Sequence, residues 1–230
     1  MAKALDHRVR VAALRREEMQ LHLLFSGLLL ASTHPIHELE VEDVIKQAEV
    51  SRGSFYNYFP SLPALYDCLA KQLMREFGEM ADSSIPQGLD TVTRLASTMR
   101  VLMRLAVDFP MLGRFLTQIQ WPNQNPDSEI FQNIIGDIQI GIKEGAFADM
   151  PTSIGSNIAI GSLIGGIHSM LLKRPAKGFE DQVTHQVLIG LGVDPKSASK
   201  ISQSPLPTKP QLPETGIFGK LAEMGALAKK

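Results

Sequence analysis

The sequence is short of several things that would assign it a chemistry. It has one cysteine, Cys68, so no disulfide can form within the chain and a reducing compartment fits. Leu65, Leu69 and Leu73 surround Cys68 at helical spacing, and it reads as a core residue rather than a reactive thiol. Net charge is nearly absent: 23 Lys and Arg against 24 Asp and Glu leave −1. A chain so balanced is not a basic nucleic-acid coat, and any affinity for DNA must come from a local patch. No apolar run reaches the roughly 18 residues that read as a bilayer-crossing helix. The longest, residues 21–31, is interrupted by His22, Ser26 and Gly27. No signal-peptide pattern is evident, so the cytoplasm is the expected location and no membrane span is expected. Paired catalytic carboxylates, a nucleophile motif, a phosphate loop and a metal-ligand cluster are all missing, so no enzyme is expected and no catalytic residue, metal or cofactor is assigned. His34 and His37 lie three apart, but Pro35 spoils a helical ligand geometry and no third ligand is in evidence. Few β-like alternations occur, and the expected fold class is all-α.

What is present is concentrated in Ser51-Arg52-Gly53-Ser54-Phe55-Tyr56-Asn57-Tyr58-Phe59. Ser51 is a good N-cap, since its hydroxyl can accept from the free N–H groups of a first turn. Pro60 pushes Phe59 out of helical geometry, so the spacing predicts a helix of about two turns. Phe55 and Phe59 sit four apart and share a buried face. The other face then shows Arg52, Ser54, Tyr56, Asn57 and Tyr58, with two exposed tyrosines and no carboxylate. Such donors suit phosphates and base edges, and Gly53 would let a DNA backbone approach closely. Just upstream, Val41, Val44, Ile45 and Ala48 fall at i, i+3, i+4 and i+7, the stripe of a short helix. A tight turn at Glu49-Val50 separates the two. Helix, tight turn, short helix is the arrangement of a helix-turn-helix, whose second helix enters the major groove.

These residues, in the order AxVSRGSFYNYFPSxxxL, resemble the DNA-binding signature of the TetR family of bacterial transcriptional regulators, roughly AGVSxGTFYxHFxSKExL. The resemblance is close over residues 41–69 and looser over the preceding helix. It implies an N-terminal three-helix head joined to a C-terminal helical domain that binds a ligand and dimerises. It also implies that Ser51, Arg52, Gly53, Ser54, Tyr56, Asn57 and Tyr58 meet double-stranded DNA. Three positions depart from the family. Glu40 stands where Thr is common, Glu49 where Gly is usual, and Leu62 where a backbone-contacting Lys is usual. Each removes a favourable contact with DNA or adds a repulsive one.

The expected organisation is residues 1–80 for the head, 85–203 for the helical domain and 204–230 for a Pro-rich linker and tail. Residues 1–16 carry Lys3, Arg8, Arg10, Arg15 and Arg16 against one acid, Asp6, and read either as a solvated terminus or as an arm adding phosphate contacts. A first helix ends near residue 32, with Leu21, Leu24, Phe25 and Leu28 inward and His22 on the surface. A fourth helix, capped by Ser61, runs to about Gly78. Helices then cover 89–108, with Arg94, Arg100 and Arg104 outward, a segment from Phe109-Pro110 to Trp121-Pro122, and 127–143. The runs IKEGAFADMP and LIGLGVDPKSA also resemble TetR-type boundaries.

Residues 152–173 form the second informative stretch. Gly155, Ala159, Ser162 and Gly166 recur on one face of a helix, where small side chains let another helix approach closely. Residues 179–192 supply a second helix through Val183, Val187, Leu188 and Leu191. By the resemblance, two such helices from each subunit form a four-helix homodimer interface, with Gly155, Ala159, Ser162, Gly166, Val187 and Leu191 expected in it. Met99, Met103, Phe115, Trp121, Phe131 and His168 are candidate linings for an unidentified apolar or weakly polar effector, and each can equally be ordinary core. The last segment, 217–230, reads as a short amphipathic helix through Ile217, Leu221, Met224 and Ala228. It can be disordered, dock on its own body or lie on a membrane surface. Function is expected to be a ligand-responsive transcriptional regulator, a repressor binding a palindromic operator as a dimer. The alternative is a helical interaction protein of TetR-like architecture that has lost specific DNA binding.

Overall fold

The computed structural model describes residues 2–118, 129–173, 177–206 and 213–223, and among them there are helices and no strand. In chain order these are α1 (Ala2–Ala31), a 3-10 turn (Ile36–Glu38), α2 (Val41–Ala48), α3 (Arg52–Tyr56), α4 (Leu62–Ser84), α5 (Thr91–Asp108) and α6 (Pro110–Gln118). Then come α7 (Glu129–Lys143), α8 (Thr152–Leu172), α9 (Phe179–Gly190), α10 (Pro195–Ser202) and α11 (Gly216–Glu223).

Helix starts follow local capping chemistry. Ser61 Oγ accepts from the N–H of Ala64 at 3.3 Å, with Pro63 in the first turn of α4. Asp90 accepts from the N–H of Thr93 at 2.9 Å to open α5. The pair Asp194-Pro195 opens α10 in the same way, the carboxylate accepting from Lys196 and Ser197. At the other end α4 runs to Ser84 rather than stopping near Gly78, because Met80 and Ala81 continue its buried face. The basic stretch is the first part of α1 rather than a separate arm, and Arg10, Arg15 and Arg16 are exposed there.

α1 buries Leu23, Leu24, Phe25, Leu28 and Ala31 against α2 and α4. His22 is not the surface residue expected. It is half-buried, with Nε2 2.9 Å from the carbonyl oxygen of Ala48, and it ties α1 to the last turn of α2. The hydroxyl of Tyr66 on α4 donates to Gly27 O at 3.3 Å, and burial, with the nearby Asp43 charge, pushes its pKa well above the usual tyrosine range.

Of the three arginines of α5, Arg104 is exposed as expected, Arg94 is half-buried and Arg100 is buried. Arg94 pairs with Asp137 of α7 at 2.6 Å and Arg104 with Glu180 of α9 at 2.9 Å. Arg100 is only 3% exposed; its Nε donates to Asp181 at 2.6 Å and its Nη1 to Ser204 O at 2.8 Å. Helical spacing puts all three on one side of α5, but the partners lie more than 40 residues away, so sequence spacing could not reveal them.

α8 is, by length and composition, apolar enough to cross a bilayer, with mean hydropathy 1.3. Here it packs against α5, α6, α7 and α9. Its small-residue face is turned into the chain. A Cβ on Gly155 would lie 2.7 Å from Ile138, and one on Gly166 would lie 3.0 Å from the sulfur of Met103. Ala159, Val187 and Leu191 are likewise buried, and Ser162 is half-buried. These residues, expected at a subunit interface, are instead used for close approach between α8 and its own neighbours. The outward face of α8 carries Ile154, Asn157, Gly165, His168 and Leu172. Replacing Arg100 with Ala should destabilise the fold by about 3 kcal/mol in urea unfolding, since Asp181 would keep a largely buried and unpaired carboxylate.

Candidate nucleic-acid interface and internal cavity

The turn between α2 and α3 is made by Glu49, at φ 53° and ψ 40°, the one described non-glycine residue in the left-handed region. Its N–H reaches back to the last carbonyls of α2, closing that helix. At the start of α2 the N–H of Glu40 donates to Asp43 at 2.9 Å, so Glu40 sits at the N-cap where its carboxylate also meets the positive end of the helix.

α3 is five residues long, shorter than the two turns expected, and cannot hold itself together. Two devices hold it. Ser51 Oγ accepts from the N–H of Ser54 at 3.0 Å and lies 2.8 Å from Ser54 Oγ. Phe55, fully buried, anchors it to the core and packs against Phe59 with ring centroids 6.0 Å apart. The surface left outside consists of Ser51, Arg52, Gly53, Tyr56 and Asn57, all exposed, with Ser54 half-buried beside them. Tyr56 stands edge-on to Phe55 at 5.4 Å with about half its surface free. Tyr58 is half-buried against the core, so one exposed tyrosine is present rather than two. At Gly53 an added Cβ would find only Ser51 Oγ within 4 Å, so the outer side of the backbone is bare.

The face is not free of carboxylates. Glu42 of α2 forms an ion pair with Arg52, and both side chains remain well exposed. α3 alone shows no acid; the acid arrives from the neighbouring helix. Leu62, at the position where a backbone-contacting Lys was expected, is buried at the start of α4 and belongs to the core.

A second site lies inside the chain. Met74 and Phe77 of α4, Leu102 of α5, Leu116 of α6, Phe131 of α7, and Leu163, Ile164 and Ile167 of α8 line an apolar cavity of about 30 Å³. That is room for a water-sized volume, far below the roughly 300–1,000 Å³ of ligand pockets. Of the residues expected to line a pocket, Phe131 does so. Met99, Met103 and Phe115 are fully buried core outside this lining, and Trp121 lies outside the described residues. His168 is exposed on the outer face of α8 and cannot contribute. Met74 and Phe77 lie on the fourth helix expected from the sequence, but helical spacing alone does not show that α5, α6, α7 and α8 meet them around a cavity. A separate open polar groove of about 440 Å³ lies along α9 and α10, lined in part by Asp181, His185, Ser199 and Ser202.

Residues 26–67 match the model of the family described as bacterial regulatory proteins, tetR family. They span the end of α1, α2, α3 and the first turns of α4. Over this segment the chain is similar to the head of that family. Among solved structures, RolR in complex with resorcinol aligns at 23% identity with TM-score 0.68, over 86% of this chain and 99% of that one. A putative tetR family regulator from Shewanella sp. PV-4 aligns at 16% identity with TM-score 0.67, over 76% of this chain and 99% of that one. FadR from Bacillus subtilis, in complex with stearoyl-CoA, aligns at 18% identity with TM-score 0.59, over 74% and 96%. At these identities the likeness establishes the shared fold over most of the chain. No curated protein matches the sequence.

Side chains of α6 bond to the end of α1 and the 3-10 turn after it. Gln118 donates from Nε2 to Ala31 O at 2.7 Å and accepts at Oε1 from the N–H of Ile36 at 2.9 Å. Arg114 adds a bond to Ser32 O at 3.2 Å. The left-handed turn of the head is strained by having Glu rather than Gly. An L-residue there costs roughly 1–2 kcal/mol, against about 0.5–1 kcal/mol of extra chain entropy for Gly. Glu49→Gly is therefore expected to raise stability by about 0.5–1 kcal/mol, read as a higher denaturant midpoint at unchanged slope.

Proposed function

We propose that this chain is a ligand-responsive transcriptional repressor that reads a palindromic operator as a homodimer. The observation that carries this reading is the outward surface of α3. A five-residue helix is capped by Ser51, anchored by buried Phe55 and left with Arg52, Gly53, Tyr56 and Asn57 in solvent. Phosphate and base-edge donors on a rigidly backed short helix serve major-groove reading, and nothing in the packing requires them. One such helix covers few base pairs; two related by a two-fold axis read an inverted repeat. The outward face of α8 is the surface offered to the second copy, with Ile154 and Leu172 at 50% and 70% exposure and open space beside Gly165. The effector site is the apolar cavity between α4, α5, α6, α7 and α8. Its lining of aliphatic and aromatic side chains suits an apolar or weakly polar molecule, and binding there requires the lining to open.

The second reading is a helical interaction protein whose head no longer reads DNA. Glu42, paired with Arg52, and the acids Glu40 and Glu49 favour it, because each opposes a phosphate near the reading surface.

Fluorescence anisotropy against duplexes selected from random DNA, run as a salt series, separates the two. A specific complex whose affinity falls steeply with salt is expected. Tyr56→Phe should weaken that complex by roughly 1–3 kcal/mol, the range for a good base contact. Glu42→Gln should tighten it by up to about 1 kcal/mol, by freeing Arg52 from a surface ion pair. Weak, sequence-indifferent binding by the unaltered protein would favour the interaction-protein reading.

A further inference from the structure

The C-terminal segment does not end in solvent. α11 lies against α4 and α1, with Ile217 and Phe218 fully buried and Leu221 nearly so. Its first turn is held by a single buried acid on α4. The Glu76 carboxylate accepts from the N–H of Ile217 and from the N–H of Phe218, both at 3.0 Å. These are two of the donors that a helix start leaves unpaired, and a carboxylate there also meets the positive end of the helix. Gln72 donates to the same carboxylate from one turn earlier on α4. Gly216 is required by the arrangement. Its φ is +78°, and a Cβ would stand 2.2 Å from Glu76 Oε1. Phe218 inserts edge-on between two aromatic rings, Phe77 of α4 at 5.2 Å and Phe109 at the end of α5 at 5.0 Å.

Phe77 has a second neighbourhood. It lines the apolar cavity as well as meeting Phe218. The cavity, at about 30 Å³, cannot receive a ligand unless its walls move. Phe77 is 1% exposed and has α11 packed against it, so displacing it disturbs the seat of Phe218. An eight-residue helix has little stability of its own and depends on packing such as this. Loss of the Phe218 seat therefore releases the whole element rather than shifting it slightly.

We propose that α11 is a detachable strap on α4, the helix that carries the head, and that filling the cavity behind Phe77 releases it. The inference rests on the regulator reading for its consequence, since a strapped α4 holds the head in the DNA-competent position. An effector that opens the cavity binds the released state better and so shifts the population away from DNA. Glu76, Gly216 and Phe218 are positioning residues in this device; none touches effector or DNA.

The test uses the full chain and no effector. Ile164→Phe fills the cavity from the α8 wall, and Leu116→Phe fills it from the α6 wall should the first variant fail to fold. Hydrogen exchange is followed at the amides of Ile217 and Phe218, with those of α9 and α10 as internal reference. Exchange at least tenfold faster in α11, with α9 and α10 unchanged, is expected. Protection of α11 equal to that of the unaltered protein, or faster exchange everywhere alike, overturns the strap. Glu76→Gln and Phe218→Ala are then titrated with the selected duplex; each should weaken DNA binding at least fivefold while the thermal transition stays cooperative. Unchanged affinity in both overturns the link to the head. Failure of the unaltered protein to bind any duplex would overturn the regulator reading instead, and the exchange result would still decide whether the cavity controls the strap.

Discussion

A column of apolar side chains along α4 is the constraint on which the remaining arrangement depends. Leu65, Leu69, Leu73, Phe77 and Met80 are buried in succession at helical spacing. At the N-terminal end of the column α4 packs against α1, and farther along it meets α5, α7 and α11. The same helix follows α3 in the chain and forms one wall of the apolar cavity. Closely packed interiors transmit a displacement rather than absorb it, because each side chain already touches its neighbours. A change at Met74 or Phe77 cannot be local in such a column.

Charge plays a different part in the two regions. On α5, Arg94, Arg100 and Arg104 each face a carboxylate from α7 or α9, and Arg100 is sealed from water. A buried pair such as Arg100–Asp181 contributes little net stability against apolar replacements, yet it is costly to break. On the reading surface the Arg52–Glu42 pair is solvent-exposed and weak. An exposed pair exchanges partners readily, so the guanidinium can turn from Glu42 to a phosphate at small cost. The acids around the head thus tune how strongly Arg52 engages an anion without removing the donor surface itself.

The apolar cavity and the docked C-terminal helix meet at Phe77. Phe77 lines the cavity and its ring meets that of Phe218 edge-on at 5.2 Å, so it borders both the space an effector would enter and the docked helix. Gln118 gives α6 a parallel connection, with Leu116 on the cavity wall and Gln118 two residues on at the end of α1. The first connection is buried, while Gln118 makes the second from an exposed position.

Sequence alone determined the helices and the reading head, because the forces that set them are local. Ser51 and Ser61 cap the helices that follow them, and the stripes of α2, α4 and α5 follow a 3.6-residue period. Phe55 and Phe59 inward, with Arg52, Tyr56 and Asn57 outward, follow from the same spacing. What the tertiary structure decided was every question of partner. Periodicity placed Arg94, Arg100 and Arg104 on one side of α5 without revealing the acids opposite them. It found the small residues of α8 without showing that their close neighbours are Ile138, Met103 and Val183 of the same chain. It marked residues 217–230 as amphipathic without naming the groove that covers Ile217 and Phe218. Tyr58, His22 and His168 were misplaced for the same reason. Burial is a property of what packs against a residue, and those contacts join segments whose separation in sequence carries no periodic signal.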